Sequence, residues 1–358
     1  MRGTARFAAI GALAALALTA CSSNDPGSDP GRDGTGATSS GPLTWVSYGG
    51  KFQDDQVIAW QEPVTADTGI EFENVSPYDP AQQRAMVDAN HVVWDVVTPD
   101  SVFNFIHCGT LFEDLGDIVD PADFKEGTAA GACSAPAYVF ANIFSYDADA
   151  YTGEVPTVIG DFFDTARFPG QRIIFDSEGV GLLEAALVAD GVSVDDLYPL
   201  DLDRAFAKLD TIRESLTFAP TLGAAGQMLT DKQGTMTLLV TARTVTTAMA
   251  GVNLEPVWDF TTYGAGTVAI PKGSPNVALA KEAIKAMLTP ESAKLYAELS
   301  GTAPALASVT SADLDYDETQ VKFDAFDGDR GTVIPRNDEF WAENYTDITA
   351  AWNAWKVS

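Results

Sequence analysis

A short β-rich run, a glycine or acidic turn and a helical pattern follow one another repeatedly along this chain, and that alternation constrains its fold more than anything else. Leu43-Thr44-Trp45-Val46-Ser47 leads into Tyr48-Gly49-Gly50 and an amphipathic stretch to about Thr65. Residues 70–75 read as the next strand and 81–89 as the next helix. Val92-Val93-Trp94-Asp95-Val96-Val97 runs into Thr98-Pro99-Asp100-Ser101, and Arg172-Ile173-Ile174-Phe175 runs into Asp176-Ser177-Glu178-Gly179 and a helix over 182–189. Residues 235–240 run into Thr241-Ala242-Arg243 and a further helix. β and α elements of these lengths in alternation predict an α/β protein built on parallel sheet.

Several helix ends carry their own signals. Leu202, Phe206, Leu209 and Ile212 share one helical face that starts at Asp201 or Asp203. Thr289-Pro290-Glu291 supplies an N-cap, a first-turn proline and an acid at the positive end of a helix. Near the C-terminus, Phe340, Trp341, Tyr345, Ile348, Trp352 and Trp355 fall mostly on one face, which predicts a helix whose tryptophans are core.

The N-terminus reads as an export signal. Arg2 and Arg6 precede an apolar run of 12 residues, Phe7 to Leu18, too short to span a bilayer, and the run closes on Leu18-Thr19-Ala20-Cys21. Small residues before a cysteine resemble the lipobox of bacterial lipoproteins, so Cys21 is the expected lipidation site. Residues 21–41 are Ser, Gly, Asp, Pro and Thr with almost nothing to bury, the composition of a flexible tether. The expected location is outside the cytoplasmic membrane, held there by the lipid.

Composition then removes whole classes of function. With 21 Lys and Arg against 51 Asp and Glu, the net charge of −30 repels nucleic-acid phosphates and anionic lipid headgroups alike. Two histidines and three cysteines leave little for a metal or cluster, and neither a cofactor nor a metal is expected. The sequence holds no G-x-S-x-G elbow, no H-E-x-x-H and no phosphate-binding P-loop, so no catalytic residue is nominated. The acidic run 324–329 lacks calcium-loop spacing and reads as a solvated turn. Once Cys21 is set aside, Cys108 and Cys133 remain as a pair in an oxidising compartment, which points to one disulfide.

Open α/β sheets bind ligands beyond the carboxyl ends of their strands. The turns that follow the strands therefore nominate a crevice lined by Tyr48, Gly49, Asp100, Ser101, Glu178, Thr241 and Arg243. Glycines allow close backbone approach, Tyr48 offers a stacking face, and Arg243 suits a carboxylate or phosphate.

Thr44-Trp45-Val46-Ser47-Tyr48-Gly49-Gly50-Lys51-Phe52-Gln53, Asp67-Thr68-Gly69-Ile70, the segment from Asp161 to Arg172, Asp196-Leu197-Tyr198-Pro199-Leu200-Asp201 and Val268-Ala269-Ile270-Pro271-Lys272-Gly273-Ser274-Pro275-Asn276 resemble, in order, blocks of bacterial extracellular solute-binding proteins of the spermidine/putrescine importer family. The resemblance implies a two-lobed periplasmic-binding-protein (type II) fold with the ligand cleft between the lobes. The expected lobes are 42–142 with 262–305, and 143–261, with 306–358 a helical segment packing across both. It also implies a monomer that captures a small polar solute and hands it to an ABC permease driven by its ATPase, with no catalysis of its own. In that family aromatics stack on the methylene chain of a polyamine and carboxylates bind its ammonium groups. Tyr48 matches one such aromatic and Glu178 one such carboxylate. The aromatic and aspartate expected before Val268 are replaced by Tyr263-Gly264-Ala265-Gly266, with Tyr263 the remaining candidate ligand contact. The expected solute is thus polyamine-like or a small organic anion or zwitterion, with the balance toward the latter. A surface sensor or interaction lipoprotein on the same fold is the alternative.

Overall fold

The computed structural model describes residues 41–128, 131–328 and 330–358, and the segment Ser39–Ser358 forms one compact unit. The export signal, Cys21 and the tether as far as residue 40 lie outside the described residues. Among the described residues no helix is long and apolar enough to cross a membrane.

The first half of the chain sets one end of a mixed sheet. β1 (Leu43–Val46) passes into α1 (Gly50–Gln56), which continues through a π turn at Val57–Gln61 into α2 (Glu62–Thr68). Gly69 stops that run in the left-handed conformation, φ 77°, which a glycine adopts without steric cost. β2 (Phe72–Val75), α3 (Pro80–Asp88), β3 (Val96–Val97) and α4 (Ser101–His107) follow. Asp79 caps α3 by accepting from the Ala81 amide at 2.8 Å, and Asp100 caps α4 by accepting from Val102 at 2.9 Å. Of the six residues 92–97 read as a strand, only Val96 and Val97 enter the ladder. The Asp95 carboxylate instead ties the Thr44 amide, Ser274 and Asn276 together.

β4 (Ser134–Asp147) is the spine of the molecule. Beyond it come β5 (Arg172–Phe175), α5 (Leu182–Ala189), α6 (Leu202–Asp210), β6 (Leu216–Ala219), α7 (Leu222–Thr230), β7 (Met236–Val240), α8 (Thr241–Met249) and β8 (Leu254–Pro256). The chain returns through β9 (Phe260–Ala269), α9 (Val277–Met287), α10 (Pro290–Ser300), β10 (Ala303–Pro304), α11 (Glu318–Lys322), β11 (Thr332–Pro335) and α12 (Asp338–Val357). The sheet runs β2-β1-β3-β9-β4-β7-β5-β6. Residues 134–142 of β4 pair with β9 and residues 142–146 pair with β7, so one strand serves both halves in succession.

Separate cores stabilise the two halves. Leu43, Trp45, Trp60, Ile284 and Tyr296 pack together in the first, and Phe144, Phe162, Ile174, Leu183 and Leu209 in the second. α12 belongs with the second core: Trp341, Ile348, Trp352 and Trp355 are all buried there, as their spacing predicts. Val102 and Ile106 of α4 join the same cluster, so α12 touches both halves. Cys108 and Cys133 form a disulfide with Cα atoms 5.4 Å apart, tying the end of α4 to the start of β4. The acidic turn departs from expectation at its first residue: Asp324 is buried and accepts from the Phe326 amide at 2.9 Å, while Asp327 pairs with Arg330.

Candidate functional site

The turn after β3 is brought against the middle of the sheet. Asp100 forms a bridge to Gly266 of β9, and the Thr267 amide donates to the Pro99 carbonyl at 3.1 Å. Because side chains alternate along a strand, residues 138, 140 and 142 of β4 share a face with 266, 264 and 262 of β9. This is the face that carries the site.

Tyr48 stands at its rim. The residue is 51% exposed, yet burial pushes its hydroxyl pKa up, with the Asp100 charge adding to the effect. Asp100 behaves in the same way: its side chain is 40% exposed, but desolvation raises its pKa despite the neighbouring Arg336. Both groups touch water while packed among protein neighbours. Tyr48 meets Phe52 and Tyr78 edge-on with centroids 5.8 and 5.9 Å away, and Phe52 in turn meets Tyr138 at 5.7 Å. Gly49, at φ 80°, lets the chain turn from β1 into α1, and a methyl there would stand 2.9 Å from the Ser76 hydroxyl.

Arg336 is the residue that no spacing in the sequence nominates. It follows β11, its amide donates to the Tyr263 carbonyl at 2.7 Å, and it is only 7% exposed. Nε donates to Asp338 at 2.7 Å, and Nη2 donates to Asp100 at 3.1 Å and to the buried Ser101 hydroxyl at 3.0 Å. Burial alone would lower the guanidinium pKa. The Asp100 and Asp338 carboxylates outweigh that and hold it above its ordinary value. Below this group Glu184 is fully buried, accepting from Tyr198 at 2.8 Å and Trp341 Nε1 at 2.9 Å. Desolvation raises its pKa, and its second oxygen has no partner among the described residues.

The remaining nominated residues make other contacts. Glu178 accepts from Thr349 at 2.6 Å and so faces α12, as does Asp176, which pairs with Lys356 at 2.5 Å. Thr241 spends its hydroxyl on the backbone of Ala141, accepting from the amide at 2.9 Å. Arg243 lies along α7, where Gly226 makes room for it; desolvation lowers its pKa, and its Nε has no partner among the described residues. Tyr263 points to the opposite face of β9, donating to the Glu126 carbonyl at 2.7 Å with its ring against Phe326, and burial pushes its pKa up to about 12. The alternation of the strand decides this: residues 264 and 266 share the face of Tyr138, Phe140 and Arg336, and 263 cannot. Tyr48, Gly49, Asp100 and Ser101 are therefore brought together with Arg336 and Tyr138. Glu178, Thr241 and Tyr263 have polar atoms turned to other neighbours, and the Arg243 stem packs against Gly226 of α7.

Chemically, the cluster offers π faces and a water-accessible carboxylate for a cation, and a guanidinium edge for an anion. Among the described residues no group of side chains could hold a metal ion.

Known proteins with similar sequences and folds agree with this description. The family model for bacterial extracellular solute-binding proteins matches residues 59–321. A gamma-aminobutyric acid-binding protein of Pseudomonas aeruginosa is 32% identical over 266 residues, covering 72% of this chain and 74% of its own. The solved structure of the Atu4243-GABA receptor has a TM-score of 0.77 at 28% identity, covering 88% of this chain and 98% of the receptor. The binding protein AgtB of A. tumefaciens R10, solved with agropinic acid, has a TM-score of 0.73 at 23% identity over 89% of this chain and 99% of its own, a likeness of fold. The two-lobed architecture is common to these structures.

Proposed function

The chain belongs to the bacterial extracellular solute-binding proteins, the receptors that ABC importers use to capture small polar solutes, and from that premise we propose that its solute is a small zwitterion of the amino-acid type. One observation carries the proposal: the half-exposed carboxylate of Asp100, whose charge is felt by the Tyr48 and Tyr138 hydroxyls, sits beside the Arg336 guanidinium. An ammonium finds a carboxylate and π faces there, and a carboxylate finds a cation. The relatives named for gamma-aminobutyric acid support this ligand class.

In this reading Tyr48 and Tyr138 cover the methylene chain, Asp100 takes the ammonium, and Ser101 and Gly49 hold the geometry. Glu178, Thr241, Arg243 and Tyr263 stay outside it because their polar atoms are engaged elsewhere or packed away from the concavity. Solute bound between the lobes stabilises a closed form that a permease reads, and an ATPase powers release. The lobes are residues 42–142 with 262–305, and 143–261, with the C-terminal segment lying across both. The receptor works outside the cytoplasmic membrane as a monomer tethered by a lipid on Cys21, and it has no catalysis of its own.

A spermidine/putrescine-type specificity is the second reading, favoured by the surplus of acids around the concavity, where Asp100, Asp338 and Glu184 surround one cation. The test is Asp100→Asn, measured by titration calorimetry with 4-aminobutyrate. An ammonium held by Asp100 loses about 2 kcal/mol, or roughly 30-fold in affinity. Unchanged affinity refutes the role of Asp100.

A further inference from the structure

Two glycines of β9 give away the space that side chains would fill. A methyl at Gly266 would stand 2.0 Å from Cζ of Tyr138, and one at Gly264 would stand 3.0 Å from Phe140 and 3.4 Å from the Arg336 guanidinium carbon. The Tyr138 ring and the Arg336 guanidinium occupy those places instead, the latter over the Phe140 ring at 5.8 Å. A fixed cation therefore lies at the centre of the sheet face, delivered from a segment 236 residues beyond its partner Asp100.

Its donors are unequally spent. Nε serves Asp338 and Nη2 serves Asp100 and Ser101, whereas Nη1 forms no hydrogen bond among the described residues. Nη1 faces Gly179, where a methyl would sit 3.8 Å away, so the bare edge of the guanidinium looks toward a backbone with no side chain in between. The Asp100 side chain stays 40% exposed after pairing, whereas the Asp338 side chain is only 11% exposed.

We propose that Arg336 sets the charge class of the solute: its Nη1 edge binds the carboxylate while Asp100 takes the ammonium, so a zwitterion is accepted and a diamine refused. This inference rests on the reading of the concavity as the solute site. The Arg336–Asp100 pair is a fixed dipole open along one side, and a zwitterion lies antiparallel on it with each end against an opposite charge. A diamine satisfies Asp100 with one ammonium and places its second against the guanidinium, since the carboxylate that would neutralise it, Asp338, is held on Nε.

The test is calorimetric titration of Ser39–Ser358 with 4-aminobutyrate and with putrescine, in the wild type, Arg336→Gln and the double variant Arg336→Gln/Asp338→Asn. The single variant strands two carboxylates, so melting curves establish which variants fold. The double variant removes one charge of each sign and leaves Asp100 intact. We expect the wild type to bind 4-aminobutyrate and not putrescine. In the folded variants 4-aminobutyrate weakens about 30-fold, the worth of a charged hydrogen bond, and putrescine binding appears. Folded variants that keep the wild-type preference overturn the role of Arg336. A wild type that prefers putrescine overturns it as well while leaving the site in place, and a wild type that binds neither overturns the reading of the site and this inference together.

Discussion

Gly266→Ala tests the link between the sheet and the solute site with a single methyl. The added carbon would lie 2.0 to 2.2 Å from two ring carbons and the hydroxyl oxygen of Tyr138. Carbon atoms rest at about 3.5–4.0 Å, so the ring must retreat by roughly 1.5 Å. It has little freedom to do so, because Phe52 and Tyr296 hold it with centroids 5.7 and 5.4 Å away. Overpacking costs about 1–3 kcal/mol and each disrupted aromatic pair about 0.5–1.5 kcal/mol, so a loss of about 3 kcal/mol is expected. For a unit of roughly 320 residues the unfolding entropy is about 0.7 kcal/mol per degree, which makes the loss about 4 °C in melting temperature. The displaced ring also moves into the concavity, so solute affinity falls with stability. The sign of the effect is diagnostic. Where a glycine faces open space, alanine stabilises by about 0.4–1 kcal/mol through the unfolded chain. A melting temperature that is unchanged or raised, with affinity intact, refutes the placement of Tyr138 on β9.

Three further perturbations probe independent parts of the account. Cys108→Ser/Cys133→Ser opens a loop closed across 25 residues, which in the chain-entropy model costs about 3.5 kcal/mol and roughly 5 °C by calorimetry; a shift below 1 °C contradicts it. Glu184 has a folded pKa raised above its ordinary 4.5, so its contribution is full below that pH and is lost as pH rises through the folded value. Glu184→Gln, which keeps an acceptor for Tyr198 and Trp341, should therefore gain on the wild type as pH rises above 4.5 in urea titrations, by about 1.4 kcal/mol per unit of elevation; parallel pH profiles contradict this. Arg243→Met removes a desolvated cation whose Nε is unpaired, so melting temperature should hold or rise and 4-aminobutyrate affinity should stay within about twofold; a large affinity loss would return Arg243 to the solute site.

Elements with local signals were readable from the sequence. Asp201 and Thr289 cap their helices by accepting from Arg204 at 3.0 Å and Ser292 at 3.1 Å, because a capping residue acts within its own turn. The spacing of Trp341, Trp352 and Trp355 likewise gave their burial in α12. The spine was not readable. β4 is buried along nearly its whole length and so lacks the alternation that marks a half-exposed strand, and Pro136 sits near its start. β9 hides behind Gly264 and Gly266, which carry no strand signal and yield space to Tyr138 of β4 and to Arg336 just after β11. The site followed the same division. Tyr48 and Asp100 stand at strand ends that the α/β pattern nominates. Arg336 meets Ser101 across 235 positions, and no periodicity carries information over that distance. Glu178 and Asp176 were plausible at a strand end until α12 covered them, a tertiary contact outside the reach of local pattern.

The central claim is that the concavity around Tyr48, Asp100, Tyr138 and Arg336 captures a small zwitterion. Its most direct test is calorimetric titration of wild-type Ser39–Ser358 with 4-aminobutyrate, putrescine and succinate, which present the same short carbon chain with mixed, doubly positive and doubly negative ends. The account predicts saturable binding of 4-aminobutyrate alone. Binding of putrescine or succinate in preference to 4-aminobutyrate, or of none of the three, contradicts it.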